Sequence, residues 1–140
     1  MGNKNSIQLG VGAVVFNDDA ILLVKRRNPP HQHQWAIPGG KVNYGESLKN
    51  AVKREILEET GVLIDVQEPV YTFEVIETDE KNNATLHYVV IDYTARYLSG
   101  KLKAADDAEQ AEWITRERFH ALDISHITKT LLAEKFQFPE

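Results

Sequence analysis

The 140 residues carry no cysteine and a formal net charge of −5, from 16 Lys and Arg against 21 Asp and Glu. That length suits one domain, since a second core would need roughly another 100 residues, and a composition 42% hydrophobic and 26% charged is that of a folded globule rather than a disordered segment. Thiol redox catalysis, disulfide frameworks and thiolate zinc sites are excluded. The acidic balance argues against a nucleic-acid polymer as partner, because a phosphate backbone is normally met by a basic face. No apolar run approaches the about 20 residues that cross a bilayer, and no charged-then-apolar signal peptide opens the chain. A single domain over residues 1–140, cytoplasmic and not engaging a membrane, is therefore expected.

Residues 1–6 match the myristoylation pattern M-G-x-x-x-[ST] and read as a flexible polar tail. β-Branched runs over residues 7–16 and 20–25 flank the turn-forming Asn17-Asp18-Asp19, which predicts a hairpin. Asn28-Pro29-Pro30 ends the second strand, and a polar loop with His31 and His33 leads to Trp35-Ala36-Ile37-Pro38-Gly39-Gly40. Residues 47–60 contain neither Gly nor Pro and stop at Gly61, which predicts a helix. A strand from Val62, an alternating segment at 71–77, a polar tip at 79–83 and a long strand over 85–97 form a second predicted hairpin. An acidic loop at 106–109, a short strand at 112–114 and two helices at 116–122 and 127–136 complete a mixed sheet with helices on its faces.

The helix at 47–60 breaks its own pattern. Leu48, Ala51 and Val52 form an apolar stripe at 3.6 residues per turn, and Glu55, Glu58 and Glu59 continue near the same azimuth. Lys49, Asn50, Lys53 and Arg54 already supply the opposite, solvated side. Three carboxylates held together repel one another, so something positive is expected there, and hard oxygen donors suit Mg²⁺ or Mn²⁺.

Gly40, Glu46, Arg54-Glu55-Ile56, Glu58-Glu59 and Gly61-Val62 stand at the spacing of the Nudix box, with no position departing from it. Seven fixed residues at ordinary amino-acid usage would coincide by chance on the order of once in 10⁸ placements. The chain resembles the Nudix hydrolase family, its small ADP-ribose pyrophosphatase-like and MutT-like members in particular. The resemblance implies an α/β fold, an α/β/α sandwich with a mixed β-sheet, that hydrolyses the pyrophosphate bond of a nucleoside diphosphate linked to another moiety. It also implies Mg²⁺ as cofactor, with Mn²⁺ able to substitute, Glu58 and Glu59 as main ligands, Glu55 as ligand or base, and the Gly40 carbonyl as a further donor. Glu46 and Arg54 are expected to hold loop to helix through an ion pair. Members often add a carboxylate from a loop outside the box; of Asp106, Asp107 and Glu109, Asp107 is the choice, a solvated acidic turn being the alternative. Family members are frequently dimers, so a homodimer is among the expectations.

The softer pattern Leu86-His87-Tyr88-Val89-Val90 with Asp106-Asp107 resembles ADP-ribose pyrophosphatases and points to ADP-ribose or a related nucleotide sugar. A MutT-type nucleoside triphosphatase and a non-catalytic nucleotide-binding regulatory domain are the other readings. Among Lys25, Arg26 and Arg27, strand alternation lets one or two face a phosphate, and Arg26 is selected against a plain surface role. His31 and His33 read as solvated, Trp35 as packing under the Pro38-Gly39-Gly40 turn rather than stacking on a base, and Phe73, Tyr88 and Tyr93 as packing residues.

Overall fold

The computed structural model describes residues 6–29 and 31–140; all but the last residue of the polar tail read at residues 1–6 lies outside them. Strands β1 (Gln8–Asn17) and β2 (Ala20–Arg26) form the first hairpin around Asp18, and β3 (Trp35–Ala36) and β4 (Gly39–Lys41) follow as two short strands. Helix α1 spans Leu48–Thr60; β5 (Leu63–Thr78), β6 (Ala84–Ser99) and β7 (Ala108–Ile114) come next, then α2 (Arg116–Phe119) and α3 (His126–Phe136). One seven-stranded sheet runs β3-β2-β1-β6-β5, with β4 added to β1 and β7 to β2. It is mixed, because β1 lies parallel to β6 while the hairpin partners are antiparallel.

Alternation along β1 explains the layers. Val11, Ala13 and Val15 pack with Ala51, Val52 and Ile56 of α1, whereas Val14 packs on the other face with Phe119, Leu131 and Leu132 of α2 and α3. Each face of the sheet thus buries one helical layer, which is the expected α/β/α sandwich. Among the described residues no helix is long and apolar enough to cross a membrane.

Three predicted elements differ from the structure by more than one or two residues at an end. The two segments expected at 62 onward and 71–77 are one 16-residue strand, β5, irregular around Pro69. There Thr94 Oγ1 accepts from the Glu68 amide at 3.2 Å and donates to the Glu68 carbonyl at 3.3 Å, replacing the ladder bonds lost at the bulge. Strand β7 begins four residues early, since Ala108 already pairs with Arg26. The helix expected over 116–122 is only α2, because the Ala121 and Leu122 amides donate to the carbonyls of Arg118 and Phe119, three residues back, and tighten the chain out of the α conformation.

Candidate active site

Local chemistry fixes both ends of α1. Ser47 Oγ accepts the Asn50 amide at 3.2 Å, and Gly61 closes the helix at φ 79°, a left-handed conformation natural to glycine, with its amide on the Leu57 carbonyl at 2.9 Å. Arg54 then ties the helix to the preceding loop as expected. Its Nε and Nη2 donate to the two Glu46 oxygens at 2.7 and 2.9 Å, and Nη2 also donates to the Lys41 carbonyl at 2.9 Å. The Arg54 hydrogen bonds, with the Asn43 amide, hold the Glu46 carboxyl down at about 2. Beyond the expected pair, Arg54 Nη1 reaches Glu55 at 3.0 Å and Glu58 at 2.9 Å.

The three α1 glutamates sit in three environments. Glu59 is 3% exposed, and its Oε1 accepts the Gly39 amide at 3.3 Å. Burial pushes its carboxyl up to about 8; the Gly39 amide and the Arg26 charge oppose the rise, and the charges of Glu55 and Asp107 add to it. Glu55 is half-buried and raised for the same first reason, with Arg54 opposing. Glu58 corrects the azimuth expectation: it lies at the edge of the stripe and is exposed, beside Arg54 rather than in the core-facing row. Gly40 meets Glu55 so closely that a Cβ there would stand 2.2–2.5 Å from the carboxyl atoms, so any side chain at this position would have to displace the Glu55 carboxyl.

The loop after β6 joins the same place. Main-chain bonds from Lys103 to Thr60 at 2.9 Å and from Ala105 to Glu59 at 3.1 Å staple it to the end of α1. Asp107 receives Arg26 Nη2 at 3.4 Å and the Asn28 side chain. Asp106 is exposed, and Glu109 is engaged by His33 Nδ1 at 2.7 Å, which leaves Asp107 as the acid of this loop that faces the site. Arg26 lies on the same rim, while Arg27 bonds the carbonyls of Asp106 and Ala108.

A family model described as NUDIX domain matches residues 6–134. The chain belongs to the Nudix hydrolase family. It is 34% identical over 118 residues to an ADP-ribose pyrophosphatase of Methanocaldococcus jannaschii, covering 84% of this chain and 68% of that protein. It is 28% identical to an ADPR responsive transcriptional repressor of Acinetobacter baylyi, over 94% of this chain but 52% of that protein, so it spans about half of that relative. Among solved structures it is similar to a MutT Nudix hydrolase from Burkholderia pseudomallei, with 28% identity, TM-score 0.73, and 94% and 99% of the two chains covered.

Among the described residues, no three His, Asp or Glu side chains converge into a metal-holding cluster, because Glu58 turns toward Arg54 while Glu59 faces Gly39. The donors of this Nudix box nonetheless fit a divalent cation such as Mg²⁺. They are hard carboxylate oxygens, two of them desolvated and mutually repelling, set against a glycine that admits no side chain between backbone and Glu55.

A cavity of about 340 Å³ opens beside the box, within the range of small-molecule sites. Arg26 and Asp107 stand at the same opening as Gly39 and Gly40, and Phe73, Tyr88 and Asp92 line the interior. Phe73 and Tyr88, expected to pack, are therefore cavity walls, whereas Tyr93 is buried against α1's core as expected. His31, expected to be solvated, is half-buried on the cavity, and its Nε2 has no hydrogen-bond partner among the described residues. Trp35 is 4% exposed within the α3-side core, which removes the base-stacking alternative. Asp92 escaped the sequence reading altogether; the signal was an acid inside the otherwise apolar run Tyr88-Val89-Val90-Ile91-Asp92-Tyr93.

Proposed function

We propose that this Nudix protein is a Mg²⁺-dependent pyrophosphohydrolase that splits ADP-ribose, or a closely related nucleotide sugar, into a nucleoside monophosphate and a sugar phosphate. The observation that carries the reading is that Gly39 and Gly40, which meet Glu59 and Glu55 of the box, line the same cavity as Asp107 and Arg26, a cavity large enough for the rest of a nucleotide. Glu55, Glu58, Glu59, Asp107 and the Gly40 carbonyl would hold the cation. When bound, it would polarise a phosphoryl oxygen and lower the pKa of attacking water.

The chain's own groups supply the rest. Arg26, on the rim between Asp107 and the cavity, offers a charge-assisted donor to a phosphate oxygen. One of the α1 glutamates takes the proton as water adds across the P–O–P bond. Arg54 does not touch the substrate; its fork on Glu46, Glu55 and Glu58 holds loop and helix in register. The relatives named for ADP-ribose support that substrate, and among the described residues Arg26 and Lys41 are the Lys or Arg side chains that line the cavity, a modest provision for a triphosphate tail.

The test is hydrolysis of ADP-ribose, dGTP and 8-oxo-dGTP side by side, with Mg²⁺ and with excess chelator. The expected result is release of AMP and ribose 5-phosphate with the highest kcat/KM on ADP-ribose and no turnover in chelator. A triphosphate preferred tenfold or more overturns the substrate, and no turnover of any compound overturns the enzyme.

A further inference from the structure

Asp92 sits mid-strand in β6, paired with Gly12 of β1 and Tyr71 of β5, and is 4% exposed. Its side chain shares a sheet face with Tyr88 and Val90, four and two residues earlier, and with their cross-strand partners Val75 and Phe73. The sequence keeps room for it: a Cβ at Gly12 would lie 2.4 Å from Asp92 Oδ1. Burial pushes the carboxyl up to about 7, and among the described residues no donor or cation counters the rise. A bare buried acid destabilises a fold, so one that lines a cavity without a protein partner calls for an explanation.

The walls around it indicate a ligand. Gly10 and Gly12 leave a flat backbone floor, Phe73 and Tyr88 present rings, and Ser125 and Thr128 face in from the start of α3. Such a slot accepts a planar heteroaromatic ring, apolar on its faces and polar at its edge. We propose that Asp92 is a specificity residue: the substrate's base enters over the Gly10–Gly12 floor, lies against Phe73 and Tyr88, and hydrogen-bonds its polar edge to the Asp92 carboxyl. This rests on the nucleotide reading above and names the group that reads the base.

The chemistry makes the role testable, because side chains differ in what they offer. A carboxylate presents only acceptors, a carboxylic acid one donor beside an acceptor, and an asparagine amide one acceptor and two fixed donors. Guanine's pairing edge carries two adjacent donors, which the acid accommodates by ionising and an amide cannot match. Adenine's edge carries a donor beside an acceptor, which both a carboxylic acid and an amide match.

The experiment is calorimetric titration of metal-free protein in chelator with AMP, GMP and ribose 5-phosphate. Asp92→Asn should weaken GMP binding at least tenfold relative to AMP, Phe73→Ala should weaken both nucleotides alike, and ribose 5-phosphate should bind more weakly than either. Equal effects of Asp92→Asn on AMP and GMP, or no effect, would overturn the proposal. If that variant does not fold, the wild-type Asp92 ¹³Cγ resonance decides instead: it should move on saturation with AMP, and a resonance that stays fixed overturns the assignment. Because no turnover is read, a protein that hydrolyses nothing yet shows the AMP to GMP shift disproves the enzymatic reading alone. One that hydrolyses ADP-ribose without the shift disproves only the role of Asp92.

Discussion

Glu59 and Asp92 are both buried carboxylates raised above the usual range, and they lie on opposite sides of the strand carrying Gly39 and Gly40. Glu59 has a backbone amide and the Arg26 charge against it and two other acids beside it. Among the described residues Asp92 has neither a cation nor a donor against it, and it lines the cavity with Phe73, Tyr88 and the glycine backbone of β1. Repulsion among clustered acids is relieved by a shared cation, whereas an isolated acid in an apolar slot is relieved by a neutral ligand that hydrogen-bonds to it. Burial alone therefore does not define a role; the sign and number of neighbouring charges do.

The largest effect should come from the acidic side. Glu59→Gln is expected to lower kcat by at least about 100-fold, as when a ligand of a catalytic cation is neutralised. Its melting temperature should hold or rise, because a buried group that resists ionisation is replaced by a neutral amide of the same shape. Steady-state kinetics with a thermal melt on the same preparation checks both halves.

Glu46→Gln should show the inverse pattern. The amide loses the charge that Arg54 grips from two nitrogens, so a lower Tm and a kcat within a few-fold of wild type are expected. Since Glu46 is held at about 2, its contribution to stability is present above the usual carboxylate range and is lost as pH falls toward about 2. Acid titrations of wild type and variant should diverge above that window and converge below it.

The smallest effect is read in pH dependence. Asp92 is raised to about 7, so between about pH 4 and 7 the folded state keeps a proton that the unfolded chain has released, and stability falls as pH rises through that window. One proton's worth of slope is about 1.4 kcal/mol per pH unit. Asp92→Asn should flatten the slope in denaturant melts by up to that amount, and the remainder belongs to groups such as Glu59.

Which parts of this were legible in the sequence follows from how local their causes are. Helix α1, its Gly61 cap and the Glu46–Arg54 pair depend on residues within a few turns of one another, and the structure places them as read, with Ser47 capping the helix instead of opening it. Of the three glutamates the stripe located Glu55 and Glu59, but it counted Glu58 inward because a spacing does not say where the stripe ends. The strand from Val62 and the segment at 71–77 read as two, and only the distant Thr94 hydroxyl shows why one strand continues past Pro69. The cavity was illegible for the same reason: β1 supplies its floor, β5 and β6 its rings, and α3 its far side.

The most direct test of this division of roles is a Mn²⁺ titration of metal-free protein followed by water proton relaxation, on wild type, Glu59→Gln and Asp92→Asn. Enhanced relaxation is expected for wild type and Asp92→Asn, with the apparent Kd for Mn²⁺ weakened at least tenfold in Glu59→Gln. Unchanged relaxation of the wild type at millimolar metal, or a loss in Asp92→Asn equal to that in Glu59→Gln, would contradict the account.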